Sequence, residues 1–93
     1  MTEIGKNIYV IEGPTNIGVI IEEKDTKFEV ILIDSGGSEL DGEKVISTLD
    51  DFFSDKQKKY ELSSIYNTHS HADHCGGNAI LKNKYNKPEI NFE

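Results

Sequence analysis

With 93 residues, 35% of them apolar and 29% charged, the chain has the length and balance of one small globular domain, which excludes a disordered or membrane-embedded class. A net charge of −7 argues against nucleic acid or an anionic membrane as a partner for the bulk surface, and leaves a small-molecule substrate as the expected ligand. One cysteine, Cys75, excludes an intramolecular disulfide framework, and the acidic Glu3 and Glu12 around a short apolar segment do not resemble a signal peptide, so a cytoplasmic location is expected.

In chain order, Ile8 to Ile11 is a short apolar run closed by Gly13-Pro14, a turn signal, and is expected to form the first strand. Ile17 to Ile21, rich in β-branched residues, is the second. The polar Glu22-Glu23-Lys24-Asp25 then joins it to a third, Phe28 to Ile33, as an antiparallel hairpin. Val30-Ile31-Leu32-Ile33 is apolar without alternation, the pattern of a strand buried on both faces. Asp34-Ser35-Gly36-Gly37 ends that strand. Ser38, three before Asp41, opens a helix whose face is Val45, Ile46, Leu49, Phe52 and Phe53, with Gly42 weakening its first turn. Leu62 to Tyr66 is a fourth strand leading into the run 68–77. From Gly77 onward, Ile80, Leu81 and Tyr85 predict a second helix, stopped by Asn86-Lys87-Pro88, and the tail Pro88 to Glu93 alternates like the start of a strand.

The order is thus β-β-β-α-β-α-β, an α/β (α+β) mixed sheet with both helices on one face. Nothing in the sequence is left to cover the other face. If the third strand is buried on both sides, its cover comes from a second copy, a different subunit or a missing continuation of the chain.

The chemistry concentrates in Thr68-His69-Ser70-His71-Ala72-Asp73-His74-Cys75-Gly76-Gly77, which holds all three histidines of the protein. Imidazole and carboxylate donors at this density suit a divalent ion such as zinc. Residues two apart on extended chain point the same way, which groups His69 with His71 and Asp73; a turn is needed to bring His74 round, and Gly76-Gly77 supplies the freedom for it. Cys75 is either a soft ligand or a small buried filler. Asp34 is either a turn residue or a carboxylate that orients a histidine from behind, since it ends a strand where the ligand loop also begins.

His69-x-His71-x-Asp73-His74, followed by Cys-Gly-Gly and preceded by a strand, resembles the signature loop of the metallo-β-lactamase superfamily. Asp34-Ser35-Gly36 is similar to that family's earlier Asp-[Ser/Thr]-Gly motif, and Asn16 within Pro14-Thr15-Asn16-Ile17-Gly18 resembles its opening strand pair, so the likeness runs from about Asn7 to Asn86. The resemblance implies an αββα sandwich, of which residues 1–93 are a single N-terminal portion. It implies up to two zinc ions, or iron or manganese in some branches, with His69 and His71 on the first metal and Asp73 and His74 on the second. Asp34 is then a buried support for the loop. The implied reaction is hydrolysis of an ester, thioester, amide or phosphodiester by metal-activated water, with Asp73 holding or shuttling the proton. The family's distal ligands (a further histidine, a bridging carboxylate and a final histidine) have no counterpart in 1–93, so the site is expected to be incomplete here.

Two other functions compete with the hydrolase: a non-catalytic, truncated half-domain that persists through association, and an iron-dependent dioxygenase on the same scaffold acting on a thiol-derived substrate. The hydrolase reading carries an expectation of a homo-oligomer or of a missing C-terminal half.

Overall fold

A computed structural model describes residues 1–13, 15–68, 76–85 and 88–92. Among them six strands form one sheet in sequence order: β1 (Thr2–Gly5), β2 (Ile8–Ile11), β3 (Ile17–Glu23), β4 (Lys27–Ile33), β5 (Lys59–Asn67) and β6 (Glu89–Phe92). Helix α1 (Glu39–Phe53) crosses between β4 and β5, and α2 (Asn78–Lys84) between β5 and β6. Strands β1 to β4 pair antiparallel; β4–β5 and β5–β6 pair parallel, as a helical crossover requires. The mixed α/β sheet read from the sequence is therefore present, with one strand, β1, preceding the expected first.

The elements form for local reasons. Strand β3 alternates buried Ile17, Val19 and Ile21 with half-buried partners, the period-2 signature of a sheet face packed on a core. Ser38 caps α1 by accepting a hydrogen bond from the Asp41 amide, at 3.3 Å. The helix buries Gly42, Val45, Leu49 and Phe53, one stripe at helical spacing. Both helices contribute to a single core: Val45, Leu49, Phe53 and Leu81 pack with Val19, Val30, Leu32, Leu62 and Ile65. An aromatic group closes one end of it, with Phe53 stacked on Tyr60 at 4.6 Å between centroids and edge-on to Phe52 at 5.0 Å.

Both helices thus lie on one sheet face. On the other, the register aligns Ile8, Ile20 and Ile31 with Ser64, and Val10, Gly18 and Ile33 with Tyr66. This face is open among the described residues: Ile8 is 42% and Tyr66 47% exposed, and Ile31 and Ile33 are half-buried beside fully buried Val30 and Leu32. The expectation that β4 is buried on both sides is met on the helix side alone.

A bulge modifies β5. The β4–β5 register runs Val30 to Leu62 and then Ile31 to Ser64, leaving Ser63 as an extra residue. Leu62 and Ile65, three apart, consequently both face the helices, and the alternation that follows buries Asn67 and exposes Tyr66. No described helix is long and apolar enough to cross a membrane.

Candidate functional site

Strand β4 ends in a left-handed residue. Asp34 has φ 70°, a conformation that aspartate tolerates better than most other non-glycine residues. The Asp34 amide donates to the Tyr66 carbonyl at 2.8 Å, extending the parallel pairing by one bond, and the backbone then turns away from the sheet. The residue is 5% exposed. Its Oδ1 accepts from the Thr68 amide at 2.8 Å and its Oδ2 from the Thr68 hydroxyl at 2.9 Å. Thr68 directly precedes His69, so this carboxylate fixes the point where β5 enters the histidine run.

The far side of the run leans on the same turn. The Gly76 amide donates to the Gly36 carbonyl at 2.7 Å. Gly36 adopts φ 88°, which suits only glycine well, and Asp41 accepts from the Gly37 amide at 2.7 Å to hold the turn against α1. A Cβ on Gly76 would sit 2.4 Å from the Gly37 carbonyl carbon, and one on Gly77 would sit 2.3 Å from the Ser35 carbonyl oxygen. Gly77 has φ −90°, an ordinary value. The glycine pair therefore serves close approach of backbones and not, at Gly77, the conformational freedom expected from the sequence.

A side-chain relay spans the base of the loop. The Ser35 hydroxyl donates to Asn78 Oδ1 at 2.6 Å, and Asn78 Nδ2 donates to Asn67 Oδ1 at 2.8 Å. Asn67 is 2% exposed. Residues 67 and 68 on one side and 76 to 78 on the other are thus all tied to 34–36.

Of the residues singled out from the sequence, Asp34 is brought against Thr68. His69, His71, Asp73 and His74, and with them Cys75, lie outside the described residues. Among the described residues no three His, Cys, Asp or Glu side chains group as a metal set. The donor chemistry of 69–74, three imidazoles and a carboxylate, nonetheless fits a divalent ion. Sequence reading missed Ser35, Asn67, Thr68 and Asn78 as contributors. Only the adjacency of Ser35 to Asp34 and of Thr68 to His69 could have signalled two of them; Asn67 and Asn78 obey no periodicity.

A cavity of about 880 Å³ lies at the opposite end of the sheet, where β4 and β5 begin, lined by Lys27, Lys59, Tyr60, Lys84 and Tyr85 among others. Its polar groups are largely engaged with one another: Lys27 pairs with Glu61, and the Tyr60 hydroxyl bonds Asp50 and lies 2.6 Å from that of Tyr85. Burial raises both phenols, Tyr60 further through its bond to Asp50 and Tyr85 to about 12. The cavity lies at the opposite end of β4 and β5 from Asp34 and Thr68.

Comparison with known proteins bears on the family and the fold. A family model described as the metallo-beta-lactamase superfamily matches residues 10–93. Among solved structures, the stereoselective inverting sec-alkylsulfatase Pisa1 from Pseudomonas sp. is similar over 95% of this chain and 14% of its own, at 28% identity and a TM-score of 0.64. TMB-1 is similar in fold over 88% of this chain and 38% of its own, at 24% identity and a TM-score of 0.57. The chain therefore spans well under half of either structure. No curated protein matches it.

Proposed function

The chain belongs to the metallo-beta-lactamase superfamily, whose members generally bind metal ions, and from that premise we propose that it carries the metal-binding loop of a metal-dependent hydrolase. The observation that carries this reading is the anchoring of Thr68, immediately before His69, by both oxygens of buried Asp34. A carboxylate spent on positioning the entry to a donor-rich run is what a metal loop needs, because ligands bind well only when they are oriented before the ion arrives.

In this proposal His69 and His71 hold one zinc ion and Asp73 and His74 a second, with iron or manganese as the alternatives. Bound there, the metal supplies a Lewis acid that makes water nucleophilic near neutral pH. Asp73 would also be placed to hold or shuttle a proton there. Asp34 keeps Thr68, and with it the start of the run, in place. The substrate is a small molecule with an ester, thioester, amide or phosphodiester bond, and the alkylsulfatase likeness adds sulfate esters to that class. The open sheet face supports assigning the remaining layer of the sandwich, and with it the distal ligands, to more of the chain or to a second copy.

Metal analysis of the purified chain tests this. Zinc bound by wild type and lost on His69→Ala/His71→Ala supports the proposal. Uptake indifferent to that double substitution overturns it. Iron in place of zinc favours the dioxygenase, and a metal-free protein favours the non-catalytic half-domain.

A further inference from the structure

We propose that Asn78 is a positioning residue for the metal loop: its side-chain amide staples the two ends of the run 69–75 to each other and to the turn after β4. The proposal rests on the reading of that run as a metal loop, but the staple itself stands on described geometry. Asn78 opens α2, on the exit side of the run; Asn67 closes β5, on the entry side. Asn78 Nδ2 donates across the base of the loop to Asn67 Oδ1 at 2.8 Å, and Asn78 Oδ1 accepts from the Ser35 hydroxyl at 2.6 Å. One amide, using its donor and its acceptor in opposite directions, is well matched to this task. The Asn67 partner is 2% exposed, so water does not substitute freely for the bond.

The consequence is a fixed separation between loop ends. Asp34 locks the entry residue Thr68, and the Gly76 amide locks the exit to Gly36. Asn78 joins entry to exit directly, bypassing the turn. Without it, the direct link between Asn67 at the entry and Asn78 at the exit is lost.

Asn78→Asp isolates the staple, because a carboxylate still accepts from Ser35 but presents an oxygen to the Asn67 oxygen. Two readouts follow it. The first is zinc affinity by chelator competition, expected to fall about tenfold, the lower end of what lost support around a metal site costs. The second needs no metal: hydrogen exchange at the Thr68 and Gly76 amides, the two ends tied to the 34–36 turn, is expected to speed up about fivefold in the metal-free protein, the factor that one hydrogen bond of ~1 kcal/mol represents. Leu49→Val, a core change remote from the loop, controls for general loosening. Ser35→Ala, which removes the other arm alone, is read in the same way should the aspartate variant not fold.

Faster exchange at these two amides for Asn78→Asp or Ser35→Ala, beyond that of Leu49→Val, supports the staple. Rates unchanged in a folded variant, or matched by the control, overturn it. A wild-type chain that takes up no zinc, iron or manganese while these amides still respond sinks the metal reading and leaves the staple standing.

Discussion

Asp34 meets two demands that few side chains satisfy together: a left-handed backbone and a paired acceptor for Thr68. The substitution Asp34→Asn keeps the first and one acceptor of the second. Asp34→Ala keeps neither, since it withdraws both acceptors from the Thr68 donors and leaves a Cβ strained at positive φ. Asp34→Ala is therefore expected to destabilise the chain by about 2–4 kcal/mol in urea unfolding, with Asp34→Asn costing less than half of that. A second residue-scale expectation concerns alkali. Burial lifts the Tyr85 phenol to about 12, above its unfolded value near 10. The folded state then holds a proton that the unfolded chain has released, so stability present below pH ~10 falls as pH rises toward ~12. Tyr85→Phe removes part of that fall, which unfolding curves across the interval measure directly.

At the scale of elements, glycines decide how closely α1, α2 and the 34–37 turn approach. A Cβ on Gly42 would lie 2.3 Å from Ile80 Cγ2 and 3.2 Å from the Gly77 carbonyl oxygen. Alanine there gains up to ~1 kcal/mol of helix propensity and loses more to overpacking, so Gly42→Ala is expected to lower stability by about 1–2 kcal/mol. Gly77→Ala, which meets a backbone oxygen that cannot swing aside, costs more; thermal melts of the two variants rank them. In the sequence Gly42 reads as a weakness of the helix because propensity is local, whereas the contact that requires it comes from Ile80, on the other helix. The same distinction governs the rest. β2, the β3–β4 hairpin, α1 and the approach of β5 to the histidines are legible because apolar runs and a capping serine announce them. β1 is not: Thr-Glu-Ile-Gly carries one apolar residue, and its place at the sheet edge is held by backbone pairing with β2. At the site, the Asp34 motif can be found from sequence, while its role stays open between turn and support until the Thr68 bonds are located. Asn67 and Asn78 are invisible because a polar pair joined across a loop leaves no pattern.

For the whole molecule, the asymmetry of the sheet dominates. One face is sealed by two helices; the other presents Ile8, Val10, Ile20, Ile31, Ile33 and Tyr66 in adjoining rows. A continuous apolar field on a chain of this size drives association. Sedimentation is expected to show concentration-dependent self-association in wild type, and smaller species with reduced dye binding in Ile20→Lys/Tyr66→Lys at unchanged circular dichroism. A wild-type monomer at every concentration that binds no hydrophobic dye contradicts this.

The supernumerary Ser63 has a sharper implication than its small side chain suggests. Were Ser63 instead drawn into the ladder opposite Ile31, β5 would be a flawless strand with every side chain downstream inverted: Asn67 would swing outward, Tyr66 inward, and the staple and the carboxylate anchor would lose their targets together. At this end of the sheet, irregularity is what aims the chemistry, and a more ideal strand would be a blind one.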